Sequence, residues 1–361
     1  MRPAILDAAK TKWPTVAVQP VACADALMAI SIEHPQPELL AKFLSDFGLS
    51  SVSHPERILL RSKEGGAFCY IIEQGSKARV NGFYYKMSNQ SDASEVAARL
   101  GGTVKAMALP GGGSAVETVD PLGAAVTLVW DCEWVANPAG LPPLTNVRGR
   151  TDRINMPYPS NACSANVRRI GHIVVRTPQL REAAEWYVAT LGMIASDVQT
   201  LPSGEPALVF LRCNRGDTPA DHHTTVFSLS PVNIFGHVAF EVEDLDSLAL
   251  GQQHLRACGW EHRWGLGRHA MGSQLFDYWA APGGLEHEHY ADGDLLSSGY
   301  PTRYSPFTLG SLWSWGHDLP SRNAPGKFSD IPYWPEGVAE ELGNELSTPG
   351  RPWQQNPGSE T

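Results

Sequence analysis

LMAISIEHPQPELLAKFLSDFGL, residues 27–49, and GHIVVRTPQLREAAEWYVATLGM, residues 171–193, follow one plan. Each opens with a short alternating apolar run, turns at a proline, and continues as an amphipathic stretch long enough for one helix. Each leaves through a small glycine exit, Phe47-Gly48-Leu49 in one and Leu191-Gly192-Met193 in the other. Outward from these segments come β-like runs: FCYIIEQG and VNGFYYKMS in the first half, ALVFLRC, TTVFSLS and GHVAFEVED in the second. A Pro-x-Gly turn then leads into a last strand, AAVTLVWD after Pro121 and LEHEHYAD after Pro282. The order βαβββ therefore recurs. The expected fold class is α+β, built from tandem βαβββ modules with two units in each.

Expected boundaries are an N-terminal extension at 1–25, a first module at 26–135, a linker at 136–165, a second module at 166–293 and a tail at 294–361. The linker, from ANPAGLPP through PYPSNACSA, is rich in Pro, Asn and Gly. The tail carries Trp313, Trp315, Trp334 and Trp353, too many tryptophans for a wholly disordered end. Its first part is expected to pack on the second module and its last dozen residues to be loose.

Composition narrows the partners. The 361 residues are 42% apolar and 18% charged, enough to bury two cores. Net charge is −10, and no Lys/Arg cluster could neutralise a run of phosphates, so a small molecule is a better partner than nucleic acid. The opening thirty residues are broken by Pro14, Pro20 and Asp25 and show neither a signal peptide nor a span, which points to a cytoplasmic protein with no membrane contact. Six scattered cysteines without a CxxC pair suit free thiols in a reducing compartment.

The chemistry concentrates in the second module. His172 and His237 each follow a glycine and open a strand-like run, and Glu288 lies six residues after Pro282. Two imidazoles and one carboxylate with open positions beside them form the facial triad of non-haem iron oxygenases. Glu286 and Glu288 share a face of their strand, with His287 and His289 on the other, so either glutamate could ligate; a solvated edge strand is the alternative reading. The repeat provides a control. Counting from the helix-exit glycines puts Met28 opposite His172, strand alignment puts Phe83 opposite His237, and Thr127, six residues after Pro121, matches Glu288. The first module thus lacks the set, so the fold does not demand it. Trp186, Tyr187, Phe210, Phe276 and Trp279 read as core or pocket wall, and His254 and His262 as solvent-facing.

The stretch GRHAMGSQLFDYWAAPGGLEHE has the pattern Gly-x-His, spacer, Tyr, Pro-x-Gly, and Glu six residues after the Pro. DHHTTVF places paired histidines ahead of His237, and Cys213-Asn214 lies upstream. With these features the second module resembles the catalytic domain of type I extradiol dioxygenases, in the vicinal oxygen chelate superfamily. The first module resembles it in plan only, the linker and tail hardly at all. One departure is Asp277, where an aromatic usually precedes the tyrosine. The resemblance implies two vicinal-oxygen-chelate-type domains, each a curved mixed sheet around a cavity. It also implies opening of a catechol-type ring by O2 next to its two hydroxyls.

The implied metal is Fe(II), with Mn(II) as the other candidate, held by His172, His237 and Glu288 in a homo-oligomer. Implied catalytic residues are His223 as acid/base, with His222 if the register slips, Tyr278 bonding the substrate oxygen, and His269 donating to the same oxygen or closing the pocket. Two other functions compete: a metal-dependent isomerase or lyase of the same superfamily, and a binding or resistance module with an aromatic cleft and no need for three metal donors.

Overall fold

The computed structural model describes residues 13–317, apart from 15–16, 18, 90, 136–145, 158–162 and 309–310. The centre of the linker and the tail beyond 317, with Trp334 and Trp353, lie outside the described residues. The recurring unit is present four times. The first module contains β1 (Ala24–His34), α1 (Pro37–Phe47), β2 (Ser50–Val52), β3 (Ile58–Arg61) and β4 (Tyr70–Gln74). It continues with β5 (Arg79–Met87), α2 (Ala93–Leu100), β6 (Lys105–Ala106), β7 (Ser114–Val119) and β8 (Ala125–Trp130). The second contains β9 (Val167–Thr177), α3 (Leu180–Leu191), β10 (Ile194–Thr200), β11 (Pro206–Arg212) and β12 (Thr225–Leu229). After these come β13 (Ile234–Val242), α4 (Leu245–Ala257), β14 (Glu261–His269), β15 (Leu275–Ala280) and β16 (Glu286–Ala291).

Local chemistry explains the repeated helix. In α1, Pro37 stands in the first turn, where its missing N–H costs nothing. Leu40, Phe43, Leu44 and Phe47 form the buried stripe, and Gly48 at φ +115° ends the helix in a conformation that favours glycine. Gly192, at φ +67°, ends α3 in the same way.

The first sheet runs β2-β3-β4-β1-β5-β8-β7-β6, with the two units side by side and the long strands β1 and β5 paired antiparallel at the centre. The second repeats this order as β10-β11-β12-β9-β13-β16-β15-β14. Two tail strands extend it, β17 (Arg303–Pro306) alongside β10 and β18 (Trp313–Gly316) alongside β14. The tail thus covers both edges of the sheet, and Trp313 is buried against Trp264, Phe276 and Tyr278.

Register corrects the sequence-level equivalence by one place. β1 skips Met28 at a bulge and β9 skips Gly171, so Ala29 stands where His172 does. Gly82, not Phe83, matches His237, because Ser31↔Gly82 corresponds to Val174↔His237. Thr127 does match Glu288, since Tyr84↔Thr127 corresponds to Ala239↔Glu288. The slip at Met28 has a simple cause: α3 has 12 residues and α1 has 11, so counting back from the exit glycine overshoots. Ala29, Gly82 and Thr127 still provide no metal donor.

One apolar core runs through both modules, from Leu40 and Phe47 to Phe240 and Trp279. Across the junction Tyr85 Oη lies 2.7 Å from Thr225 Oγ1 and Tyr187 Oη donates to Asp120 at 3.2 Å.

Candidate metal centre and active site

The site is a row across the second sheet. His172 on β9 pairs with Ala239 on β13, Ala239 with Glu288 on β16, and Glu288 with Tyr278 on β15. Paired residues in adjacent strands project to one face. His237, two residues before Ala239, shares that face, and Ala239 between the flanking side chains is the smallest residue that keeps a Cβ. The glycine before each histidine answers to crowding: a Cβ on Gly171 would lie 2.0 Å from Tyr290 Oη, and one on Gly236 2.9 Å from Val174 O.

The strand holding Glu288 is interior, which removes the solvated-edge reading. Glu288, His287 and His289 are each 0% exposed. His287 and His289 turn to the other face and meet the first module. Tyr70 Oη lies 3.1 Å from His287 Nε2, while His289 Nε2–H donates to Phe47 O at 2.8 Å and the ring stacks on Phe47 at 3.6 Å. The alternating pattern EHEH therefore carries two jobs, one per face.

His172 Nε2, His237 Nε2 and Glu288 Oε2 form a triangle with sides of 3.2 Å (His172 to Glu288), 3.0 Å (His237 to Glu288) and 3.4 Å (His172 to His237). Glu286 stands farther out, 4.0 Å from His237 Nδ1, so the geometry selects Glu288 of the two glutamates. Both Glu288 oxygens are buried and neither has a hydrogen bond of acceptable geometry. Leaving a carboxylate in that state costs several kcal/mol unless a cation compensates. Three donors at about 2.1 Å from one ion lie about 3.0–3.4 Å apart, so these residues fit a single divalent cation. Burial pushes the Glu288 carboxyl up, but the imidazoles of His172, His237 and His269 outweigh it and hold it well below the usual carboxylate range. Burial also lowers His172, which favours a neutral imidazole there.

The other expected residues surround this triangle. The His223 ring packs 4.1 Å from that of His172, and burial, reinforced by His172 and His222, keeps it well below the ordinary imidazole value. His269 Nδ1–H donates to Leu312 O at 2.8 Å, so neutral His269 accepts the Tyr278 hydroxyl at Nε2, 2.9 Å away. Burial and then the charges of Glu288 and Glu286 raise Tyr278 well above its usual range, which keeps the phenol protonated. His222 bonds His223 (Nδ1 to Nδ1, 2.9 Å) and Asp197 (Nε2 to Oδ2, 2.6 Å). Asp197 and Arg303 carry no motif, and Leu312 acts through its main chain, so sequence reasoning passed over all three.

The departure at Asp277 is accommodated by donors. Its buried carboxylate receives His262 at 2.7 Å, Gln252 at 2.9 Å and Trp279 Nε1 at 2.7 Å, although desolvation still leaves its pKa raised. His262 is thereby partly buried and engaged, a correction to its solvent-facing reading. His254 is also only partly exposed, its Nε2 3.6 Å from Cys258 Sγ at the end of α4. Trp279 and Phe276 are fully buried, as core residues should be.

Residues 169–285 match the Glyoxalase/Bleomycin resistance protein/Dioxygenase superfamily model. The second module is a member of that superfamily. The superfamily match stops just before Glu288, which the row geometry adds to it. Over 154 residues the chain is 30% identical to Metapyrocatechase 2 of Cupriavidus necator, covering 42% of this chain and 46% of that one. The chain thus spans half or less of the length of the curated relatives it matches. Homoprotocatechuate 2,3-dioxygenase from Arthrobacter globiformis superposes with a TM-score of 0.66 at 20% identity, over 85% of this chain and 91% of that one. The Mn(II)-bound glyoxalase from Novosphingobium aromaticivorans does so with 0.66 at 19%, over 83% and 94%. At such identities the fold alone is what these structures share with this chain.

Proposed function

We propose that the protein is an extradiol dioxygenase of catechol-type rings, dihydroxy or trihydroxy, acting in aromatic compound catabolism with Fe(II) at His172, His237 and Glu288. The observation that carries it is a buried carboxylate without hydrogen bonds, met by two imidazoles and bordered by three further proton-handling groups, His223, His269 and Tyr278. Isomerase or lyase chemistry on the same metal triangle needs no such extra set, and a sequestering module needs no triangle. The likeness to Metapyrocatechase 2 supports the same reading.

Iron(II), or Mn(II), held by three residues on one side would supply electron transfer between an electron-rich ring and O2. The chain's own residues handle binding and protons. Neutral His223 takes the proton of a ring hydroxyl and returns it later in the cycle. With its hydrogen bond donated to His269, the Tyr278 hydroxyl oxygen accepts from the second ring hydroxyl, and Phe276, Trp264 and Trp313 pack around it. Both oxygen atoms enter the product, so no external reductant is consumed.

In this reading residues 26–135 are a scaffold that braces β16 through Phe47 and Tyr70, and 166–293 are catalytic. Oligomerisation and a cytoplasmic location belong to the same proposal. Six free thiols suit a reducing compartment, and among the described residues no helix is long and apolar enough to cross a membrane.

The test is oxygen uptake by anaerobically iron-loaded protein across a panel of mono- and bicyclic catechols, followed with the yellow ring-opened product. Uptake equal to substrate consumed supports the proposal. Bound iron with no uptake on any ring overturns it in favour of the isomerase. A His223→Ala protein that binds iron and turns over at the parent rate would remove His223 from its role.

A further inference from the structure

Behind His223 lies a chain of groups that is buried at His222 and Asp197 and reaches the surface at Arg303. Asp197 and Arg303 are register partners on β10 and β17, and the guanidinium grips the carboxylate twice, Nε to Oδ1 at 3.0 Å and NH2 to Oδ2 at 2.5 Å. Asp197 is 3% exposed and His222 0%. The same carboxylate meets His222 Nε2 at 2.6 Å, and His222 Nδ1 meets His223 Nδ1 at 2.9 Å. The Phe210 ring packs against both imidazoles at 5.4 and 5.2 Å.

Hydrogen-bond direction along this chain has one solution for neutral rings. A carboxylate paired with arginine accepts only, so the proton on His222 must sit at Nε2. That leaves a lone pair at His222 Nδ1, so the facing nitrogen of His223 must donate. With its proton at Nδ1, His223 has its lone pair at Nε2. We propose that Asp197 and Arg303 are positioning residues that act through His222 to hold His223 in the Nδ1–H tautomer, making Nε2 the atom that takes the substrate proton. This rests on the dioxygenase reading for its chemistry but not for its structure. It also gives the tail a task, since Arg303 stands on a tail strand.

Asp197→Asn is the informative change. It keeps the shape but leaves one acceptor oxygen where Arg303 and His222 together use two; with that oxygen on Arg303 Nε, the NH2 group takes the Oδ2 position and faces His222 Nε2. His222 must then carry its proton at Nδ1 and His223 at Nε2, so the base is lost with every side chain still present. A carboxylate-to-amide change that imposes the wrong tautomer on a catalytic histidine lowers kcat by up to about 10⁴-fold. We expect a fall of about 10²–10⁴ in kcat with little change in KM.

The readout beside activity is the two-bond 1H–15N correlation spectrum of 15N-histidine-labelled, metal-free protein at pH 8, with the His223 signals identified by their loss in His223→Gln. The expected result is an Nδ1–H pattern in the parent and an Nε2–H pattern in Asp197→Asn. His222→Phe, which removes the acceptor and keeps a ring, should leave His223 a mixture of the two tautomers with reduced kcat; it decides the matter if Asp197→Asn fails to fold. An Nε2–H pattern in the parent, or one unchanged by both variants, overturns the proposal. So does unchanged kcat in a variant whose tautomer has switched. If the tautomers switch as expected while the iron-loaded parent consumes no oxygen with any catechol, the tautomer control stands and the dioxygenase reading falls.

Discussion

Replacing Glu288 by glutamine separates a metal ligand from a structural ion pair, because the two roles predict opposite results. If the carboxylate were a buried partner of His172 and His237, removing its charge from the metal-free protein would cost about 3–5 kcal/mol. Neither of its oxygens has a hydrogen bond, so without metal glutamine removes an uncompensated buried charge and the variant should be at least as stable as the parent. With metal the order reverses. At a metal concentration of 100 times Kd, binding stabilises the parent by about 2.7 kcal/mol. A domain of this size gains about 5–10 °C in Tm from that amount. Glutamine removes the one anionic donor of the triangle, and a loss of about 100-fold in affinity leaves about 0.4 kcal/mol at the same concentration, about 1 °C. The assay is thermal unfolding of both proteins with and without Mn(II), repeated anaerobically with Fe(II). A variant that keeps the parent's metal-induced rise, or that loses several kcal/mol when metal-free, refutes the assignment.

Four further outcomes follow from the same geometry. Ala239→Leu sends a branched side chain between His172 and Glu288, so the metal-induced rise in Tm should vanish while the metal-free protein loses only about 1–3 kcal/mol. Gly283 and Gly284 both have positive φ, but a Cβ on Gly283 would meet Ala78 and His34 at 2.5–2.6 Å, whereas none lies within 4 Å of Gly284. Chemical denaturation should therefore show Gly284→Ala costing the conformational penalty of about 1–2 kcal/mol and Gly283→Ala clearly more. Phe47→Ala removes a fully buried ring stacked on His289 and should cost about 3–5 kcal/mol in the same assay. Burial holds the thiols of Cys69 and Cys213 at about 12, so a disulfide reagent at pH 8 should modify exposed Cys163 and Cys258 in the native protein and reach those two only on unfolding.

The periodicities that mark a strand, a helix and a glycine exit are local, and they appear twice in plain view at 27–49 and 171–193. From them the βαβββ plan, the glycine caps and the histidines at strand starts could be read directly. A glutamate six residues after a Pro-x-Gly turn is legible for the same reason, since a tight turn followed by a strand leaves little freedom of register. Counting, however, could not see the extra residue in α3, because where a helix begins is set by its packing and not by its exit glycine. That is why Ala29, and not Met28, matches His172, while Gly82 is placed opposite Ser31 by strand pairing alone.

What the linear chain determined, then, was which residues can bond a metal and on which face of a strand each one lies. Pairing between strands far apart in sequence decided the rest. It chose Glu288 over Glu286 by setting it opposite Ala239, and it turned His287 and His289 into contacts with the first module. It also brought Arg303 opposite Asp197, some hundred residues away along the chain. Hydrogen bonds of that kind leave no periodic trace, because their partners are chosen by the sheet and not by neighbours in the sequence.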